Sequence, residues 1–155
     1  MELIMEIYSK NKYPANALSN FAVHPFEFDG IQIQSMEGFL QGLKFQSPEM
    51  QEHICTLGGG GAKRAGSKKN WKTKQTLYWK GQPVHRSSDG YTNLVANAYT
   101  AMLMQSESFR RALEAAGNAN FTHSMGSKNK SETVLTRTEF CANLHRLQKL
   151  LKESK

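Results

Sequence analysis

Glu37, Gln41 and Lys44 follow one another at spacings of four and three, so on an α-helix they share one stripe. The trio supplies an acid, an amide and an amine. Glu37 could act as acid, base or electrostatic partner, and Lys44 could bind an anion or form an imine with a sugar aldehyde. Met36, Phe39, Leu40 and Leu43 form an apolar stripe roughly a quarter to a third of a turn away, at ~100° per residue. The polar trio therefore borders a buried face, where polar groups are costly unless they pair or bind something. On spacing alone the commoner outcome is plainer: an exposed helical flank with a weak charge pattern.

Other residues invite chemical readings, each beside a structural one. Gly58 to Gly61 precedes a basic run of Lys63, Arg64, Lys68, Lys69, Lys72 and Lys74. Gly61-Ala-Lys-Arg-Ala-Gly66-Ser67-Lys68 transposes the Gly-Lys-Ser/Thr order of a phosphate loop and lacks a preceding strand, which excludes an NTPase. Arg64 as a phosphate clamp stands beside solvated lysines after a helix stop. Among His24, His53, His85, His123 and His145, no pair has metal-ligand spacing, so neither metal nor cofactor is expected. His123 opens an irregular polar loop, where it could be an acid or base or could satisfy loop backbone. Trp71 and Trp79 could stack on a base or sit in the core. No Gly-x-Ser-x-Gly elbow supports a serine nucleophile.

The elements that must hold these residues are legible in pattern. Residues 2–9 alternate as a strand. Phe26-Glu-Phe28, Asp29-Gly30 and Ile31-Gln-Ile33 read as a hairpin. Ser35 is placed to cap the helix carrying the stripe. Ser47-Pro48 ends that helix and starts a second, running to about Leu57 and stopped by the glycine tract. A hairpin turning at Lys80-Gly81 and helices over 90–104 and 106–116 follow, with a break at Gly117-Asn118. Residues 121–135 read as irregular. Thr136-x-x-Glu139 is a capping box opening a last helix, with Phe140, Leu144, Leu147 and Leu151 on one face. Helices and strands do not alternate in βαβ fashion, which argues against a doubly wound sheet.

With 155 residues, 39% hydrophobic and 10% aromatic, the chain fits one globular domain with a substantial core. No apolar run approaches the ~20 residues of a membrane span, and the acidic, alternating start is unlike a signal peptide. Two distant cysteines, Cys55 and Cys141, read as thiols in a reducing, cytoplasmic setting. A net charge of +7 biases the chain toward phosphorylated or nucleic-acid partners.

Ser19-Asn20-Phe21, the Gly30 hairpin, and Ser35 leading through Glu37, Gln41 and Lys44 to Phe45 together resemble the NADAR, or YbiA-like, family. That family shows Ser-Asn-Phe, a glycine-containing hairpin, then Ser/Thr-x-Glu-x-x-x-Gln-x-x-Lys-Phe. Its Arg ahead of an Asp/Asn-Trp pair is similar to Arg64 and Asn70-Trp71, and its Gly-Asp/Asn break to Gly117-Asn118. The likeness spans roughly residues 5–150.

The resemblance implies an α+β fold, a single compact domain over 1–155, mostly helical with short β-hairpins. Family members include N-glycosidases acting on riboflavin-biosynthesis intermediates and enzymes removing ADP-ribose from guanine in nucleic acid. The implied substrate carries ADP-ribose or a ribose phosphate, free or on nucleic acid. The implied catalytic residues are Glu37, Lys44 and His123. Ser19, Asn20, Phe21, Gln41, Arg64 and Trp71 would bind substrate. The family's Asp-x-x-Trp-Gly element is missing here, His123 stands near the place of its later acid, and about 76–90 is an extra segment. A module that binds ADP-ribose without turnover, or a charge-driven nucleic-acid binder, therefore stands as the alternative.

Overall fold

Asp29 and Gly30 both adopt positive φ, +53° and +81°, the geometry of a two-residue turn matched to strand twist. The turn joins β2 (Val23–Phe28) to β3 (Ile31–Ser35), in a computed structural model that describes residues 3–154. Phe28 pairs with Ile31 and Phe26 with Ile33. Phe26, Ile31 and Ile33 consequently face the core, while Glu27 and Gln32 face solvent. Of the strand expected over 2–9, residue 2 lies outside the described residues and Ile4–Glu6 form β1.

Strand β3 runs directly into α1 (Met36–Gly42). Ser35 caps it, its hydroxyl accepting from the Gly38 amide at 3.1 Å. Met36, Phe39, Leu40 and Leu43 are all at most 2% exposed. Helix α1 packs against β3, α2 (Pro48–Cys55), α3 (Gly59–Gly66) and α4 (Asp89–Gln105). An exposed flank is thereby overturned: Gln41 is 6% exposed and Glu37 only partly so. The helix also stops earlier than Ser47. Lys44 and Phe45 bond to the Gln41 and Gly42 carbonyls at 3.1 and 3.0 Å, a tightened three-residue turn.

Ser47 caps α2 and Pro48 occupies its first turn, as the sequence predicts. The glycine tract behaves differently. Instead of a stop followed by a loose basic run, Gly59, Gly60 and Gly61 open α3. Each internal glycine costs a helix about 1 kcal/mol relative to alanine, yet at two positions of α3, Gly59 and Gly66, closeness to neighbours demands glycine. A Cβ on Gly59 would lie 2.6 Å from Phe21 Cα, and one on Gly66 would lie 1.9 Å from Gln41 Oε1. Tertiary approach overrides propensity.

The second hairpin, β4 (Thr76–Trp79) and β5 (Gln82–His85), turns at Lys80-Gly81. Gln51, fully buried, clamps it to α1. Its amide donates to the Gly42 and Tyr78 carbonyls at 3.0 and 2.7 Å and accepts from Lys80 N at 2.9 Å. Helix α5 (Glu107–Ala116) ends at Gly117, and β6 (Asn120–Thr122) follows. Strand β6 pairs in parallel with β1, Met5 opposite Phe121, so the segment expected to be irregular begins as a strand. Thr136 and Glu139 form the capping box of α6 (Arg137–Glu153), whose Phe140, Leu144 and Leu147 are buried. The result is α+β, with three two-stranded sheets among the described residues. Cys55 and Cys141 are free thiols; burial pushes Cys55 up to about 12.

Candidate functional site

The Ser19-Asn20-Phe21 box follows a short 3-10 turn at Ala15–Leu18 and is tied down on both sides. His24 anchors the turn. Its Nε2 lies 2.6 Å from the Ala17 carbonyl, which can only accept, so Nδ1 is left to accept from Ser108 at 2.7 Å. Burial holds His24 below its ordinary value, consistent with that neutral ring. Within the box, Ser19 Oγ accepts from the Phe21 amide at 3.2 Å. The Asn20 carbonyl accepts from Glu37 N at 3.0 Å, stitching the box to the first turn of α1. Asn20 Oδ1 accepts from the Tyr99 hydroxyl at 2.6 Å.

On α1, Gln41 Nε2 donates to Glu37 Oε1 at 2.8 Å. Gln41 Oε1 is buried without a partner among the described residues, pressed against the Gly66 backbone. Lys44 Nζ reaches the Gly66 carbonyl at 3.4 Å and forms no ion pair with Glu37 among the described residues. Burial pushes the Glu37 carboxyl above its ordinary value, against the pull of the Gln41 amide and of Lys63, Lys44 and His123. Burial likewise draws the Lys44 ammonium below its ordinary value, Glu37 resisting and Lys72 and Lys63 adding to the shift. Both groups are thus eased toward neutrality, a common feature of functional sites.

These residues line a cavity of about 970 Å³ between α1, the end of α3 and the loop after β6. Its opposite wall is His123. His123 Nδ1 lies 2.8 Å from the Ile7 carbonyl, which can only accept, so Nδ1 carries a hydrogen and Nε2 is the nitrogen left without that partner. The ring packs on Phe140 at 4.7 Å between centroids. Glu6 holds the next residue, accepting from Ser124 N and Oγ at 2.8 and 2.9 Å. Burial opposes ionisation of Glu6, but these bonds and that from Thr122 keep its carboxyl below the ordinary value.

Behind the wall, Arg86 is 1% exposed. It forks onto Glu139 at 2.6 and 3.2 Å and donates to the Thr133 carbonyl at 2.8 Å. Burial again opposes ionisation of Glu139, but Arg86 and the Thr136 cap hold it low. This pair fixes the segment through Thr133, Val134 and Leu135 against the cavity.

Of the nine residues singled out in the sequence, the cavity brings together Glu37, Lys44, His123, Ser19, Asn20, Phe21, Gln41 and Trp71. Arg64 is the exception: it is exposed on α3 and does not line the cavity. Its neighbour Lys63 does, with Nζ 5.6 Å from the Phe21 ring centre. Lys69 and Lys72 complete the basic rim, Lys72 bonded to Glu132 at 3.2 Å. Tyr99, Gly66, Glu6 and Arg86 escape a reading by motif, because their partners lie far away in sequence. Among the described residues, no three His, Cys, Asp or Glu side chains gather in a way that could hold a metal ion. No helix there is long and apolar enough to cross a membrane.

The architecture is similar to that of the Escherichia coli protein YbiA. Its NMR structure matches with a TM-score of 0.66 at 20% identity, over 99% of this chain and 88% of that one. The fold is therefore YbiA-like. The chain is also 41% identical over 146 residues to an "Uncharacterized 17.1 kDa protein in Gp30-rIII intergenic region" of Enterobacteria phage T4, spanning 93% of this chain and 96% of the relative. A family described as "Bacteriophage protein GP30.3" matches residues 12–149. With most of its length inside that match and a phage relative of nearly equal extent, the chain belongs to the bacteriophage GP30.3 family.

Proposed function

We propose that this chain is an N-glycosidase that hydrolyses a ribose C1–N bond. The substrate is ADP-ribose joined to a guanine base, free or in nucleic acid, or a ribosylaminopyrimidine phosphate. One observation carries the reading: the Ser19-Asn20-Phe21 box and the Glu37–Gln41–Lys44 stripe form one wall of a single cavity. The NADAR resemblance of those same segments and the YbiA-like fold support it.

Breaking a ribose C1–N bond develops positive charge on the sugar and leaves a nitrogen in need of a proton. Glu37, as carboxylate, stabilises that cation or takes a proton from water. Its raised affinity for protons suits a group that must both receive and release one. Lys44, eased toward the free amine, holds phosphate when charged or captures the opened sugar as an imine when neutral. His123 Nε2 is a second proton acceptor. Asn20, Ser19 and Gln41 orient hydroxyls, Phe21 and Trp71 pack on the sugar or base, and Lys63 takes the phosphate role that Arg64 is placed too far out to fill.

A specific observation favours a second reading. His123 is held by both Ile7 and Phe140, as a structural residue would be, and a module binding ADP-ribose without turnover needs no second acid. One experiment separates the two. Parent, Glu37→Gln and Lys44→Ala are incubated with ADP-ribosylated guanine, the released base is followed by mass spectrometry, and ADP-ribose affinity is measured by calorimetry. Base release by the parent, lost at least 100-fold in Glu37→Gln with binding retained, supports the glycosidase. Tight binding with no base release supports the module. Equal turnover by all three proteins refutes the assigned roles.

A further inference from the structure

Tyr99 lies behind the cavity wall, on α4, and is 1% exposed. A buried hydroxyl hydrogen must be donated, because leaving it unmade costs the full desolvation of the group. Its single partner among the described residues is Asn20 Oδ1, at 2.6 Å. Turning the Asn20 amide over would present N–H groups to that hydroxyl and strand its hydrogen, so the amide has one allowed orientation. The Asn20 NH2 group, which makes no hydrogen bond of its own among the described residues, is left for the cavity.

The neighbouring position is of opposite polarity. Glu37 N donates to the Asn20 carbonyl at 3.0 Å, which sets the two residues side by side. Gln41 occupies one Glu37 carboxylate oxygen at 2.8 Å, and the other carries no bond from the described residues. The wall thus presents a fixed donor next to an oxygen that accepts when Glu37 is ionised. Two adjacent hydroxyls satisfy both, one accepting from Asn20 and the other donating to Glu37. A sugar lacking one hydroxyl forfeits one of these two bonds, and sites built to bond a hydroxyl reject such analogues.

We infer that Tyr99 is a positioning residue that locks Asn20 as a donor, and that the Asn20–Glu37 pair selects a ribose bearing both its 2- and 3-hydroxyls over a deoxyribose. The sugar whose bond breaks is then a ribosyl group attached to the base, not the deoxyribose of a DNA nucleotide. This rests on the glycosidase or ADP-ribose-binding reading of the cavity.

The test uses the full chain, Tyr99→Phe, ADP-ribose, and its analogue lacking the 2-hydroxyl on the distal ribose. Proton NMR of the free protein reads the hydroxyl directly: a slowly exchanging Tyr99 OH signal close to the Asn20 side-chain amide is expected, absent from Tyr99→Phe. Calorimetry then reads selectivity. The parent is expected to bind ADP-ribose at least ten-fold more tightly than the deoxy analogue, and Tyr99→Phe, folded by its NMR spectrum, to discriminate less than three-fold. Undiminished discrimination in Tyr99→Phe overturns the positioning role while leaving the cavity's reading intact. A visible Tyr99 hydroxyl with no binding of ADP-ribose by the parent overturns the cavity's reading, and the selection with it.

Discussion

Gly66→Ala sets two physical effects against each other. Alanine is the better helix former by about 1 kcal/mol in a helix interior, and by at most that at Gly66, the last residue of α3, so on propensity alone the variant gains stability. The new Cβ, however, would stand 1.9 Å from Gln41 Oε1, 2.8 Å from Cδ and 3.0 Å from Cβ. Gln41 is 6% exposed and its amide nitrogen holds Glu37 at 2.8 Å, so its head group cannot swing away without breaking that bond. Overpacking of this kind costs about 1–3 kcal/mol, and the lost bond about 1 kcal/mol more. Against the helix gain, the net expectation is destabilisation of roughly 1–3 kcal/mol.

Urea denaturation at equilibrium measures it, with Gln41→Ala and the double variant completing a cycle. Once Gln41 is truncated, the contacts at 1.9 and 2.8 Å no longer exist and only the 3.0 Å approach to Cβ remains, so the Gly66→Ala penalty should fall sharply. ADP-ribose affinity should fall in Gly66→Ala, because the displaced amide leaves Glu37 undirected, and it should fall in Gln41→Ala for the same reason. A Gly66→Ala protein as stable as its parent refutes the claim that glycine is needed for close approach. An equal penalty in both backgrounds refutes the claim that Gln41 is what it meets.

The raised Glu37 value carries a stability signature of definite sign. Between its ordinary value of 4.5 and its higher value in the fold, the unfolded chain ionises first, so folded stability declines as pH rises through that window. Glu37→Gln removes the penalty: it should be more stable than the parent at neutral pH, the difference vanishing as pH falls below 4.5, as read by thermal melts across pH. A constant difference at every pH refutes the assigned cause. Arg86→Met strands the Glu139 carboxylate, and about 3 kcal/mol should be lost, the low end for breaking a buried pair because the Glu139 side chain keeps 23% exposure. Urea denaturation measures the loss, and proteolysis between 127 and 135 should quicken as the cavity wall loosens.

Local signals in the sequence held where the physics is local. The Asp29-Gly30 and Lys80-Gly81 turns, the Ser35 and Ser47 caps and the Thr136–Glu139 box depend on neighbours within a few residues, and each forms as read. Pairings across the chain were not legible. The alternating start finds its partner in Asn120–Thr122, more than a hundred residues on, and three residues with one apolar member, Phe121, give little periodicity to read. Gln51, Tyr99 and Arg86 are ordinary residue types whose role exists only in their distant partners.

The placement of Arg64 shows the same limit at the scale of one helix. Composition marks the whole basic run as a candidate for phosphate, but α3 sorts it by angle. Gly59, Ala62 and Gly66 are buried and define the face pressed on the body of the protein. At ~100° per residue, Lys63 stands about 70° from the centre of that face and Arg64 about 170°. Lys63 therefore leans over the cavity edge and Arg64 points to solvent. The sorting depends on recognising the glycine tract as a packing surface, since a tract read as a loop gives the following residues no angle at all. The same close approach that requires Gly66 at the back of Gln41 thus chooses which cation reaches the site. In the family-like pattern of an arginine ahead of Asn70-Trp71, the position one residue earlier is the one the fold can use.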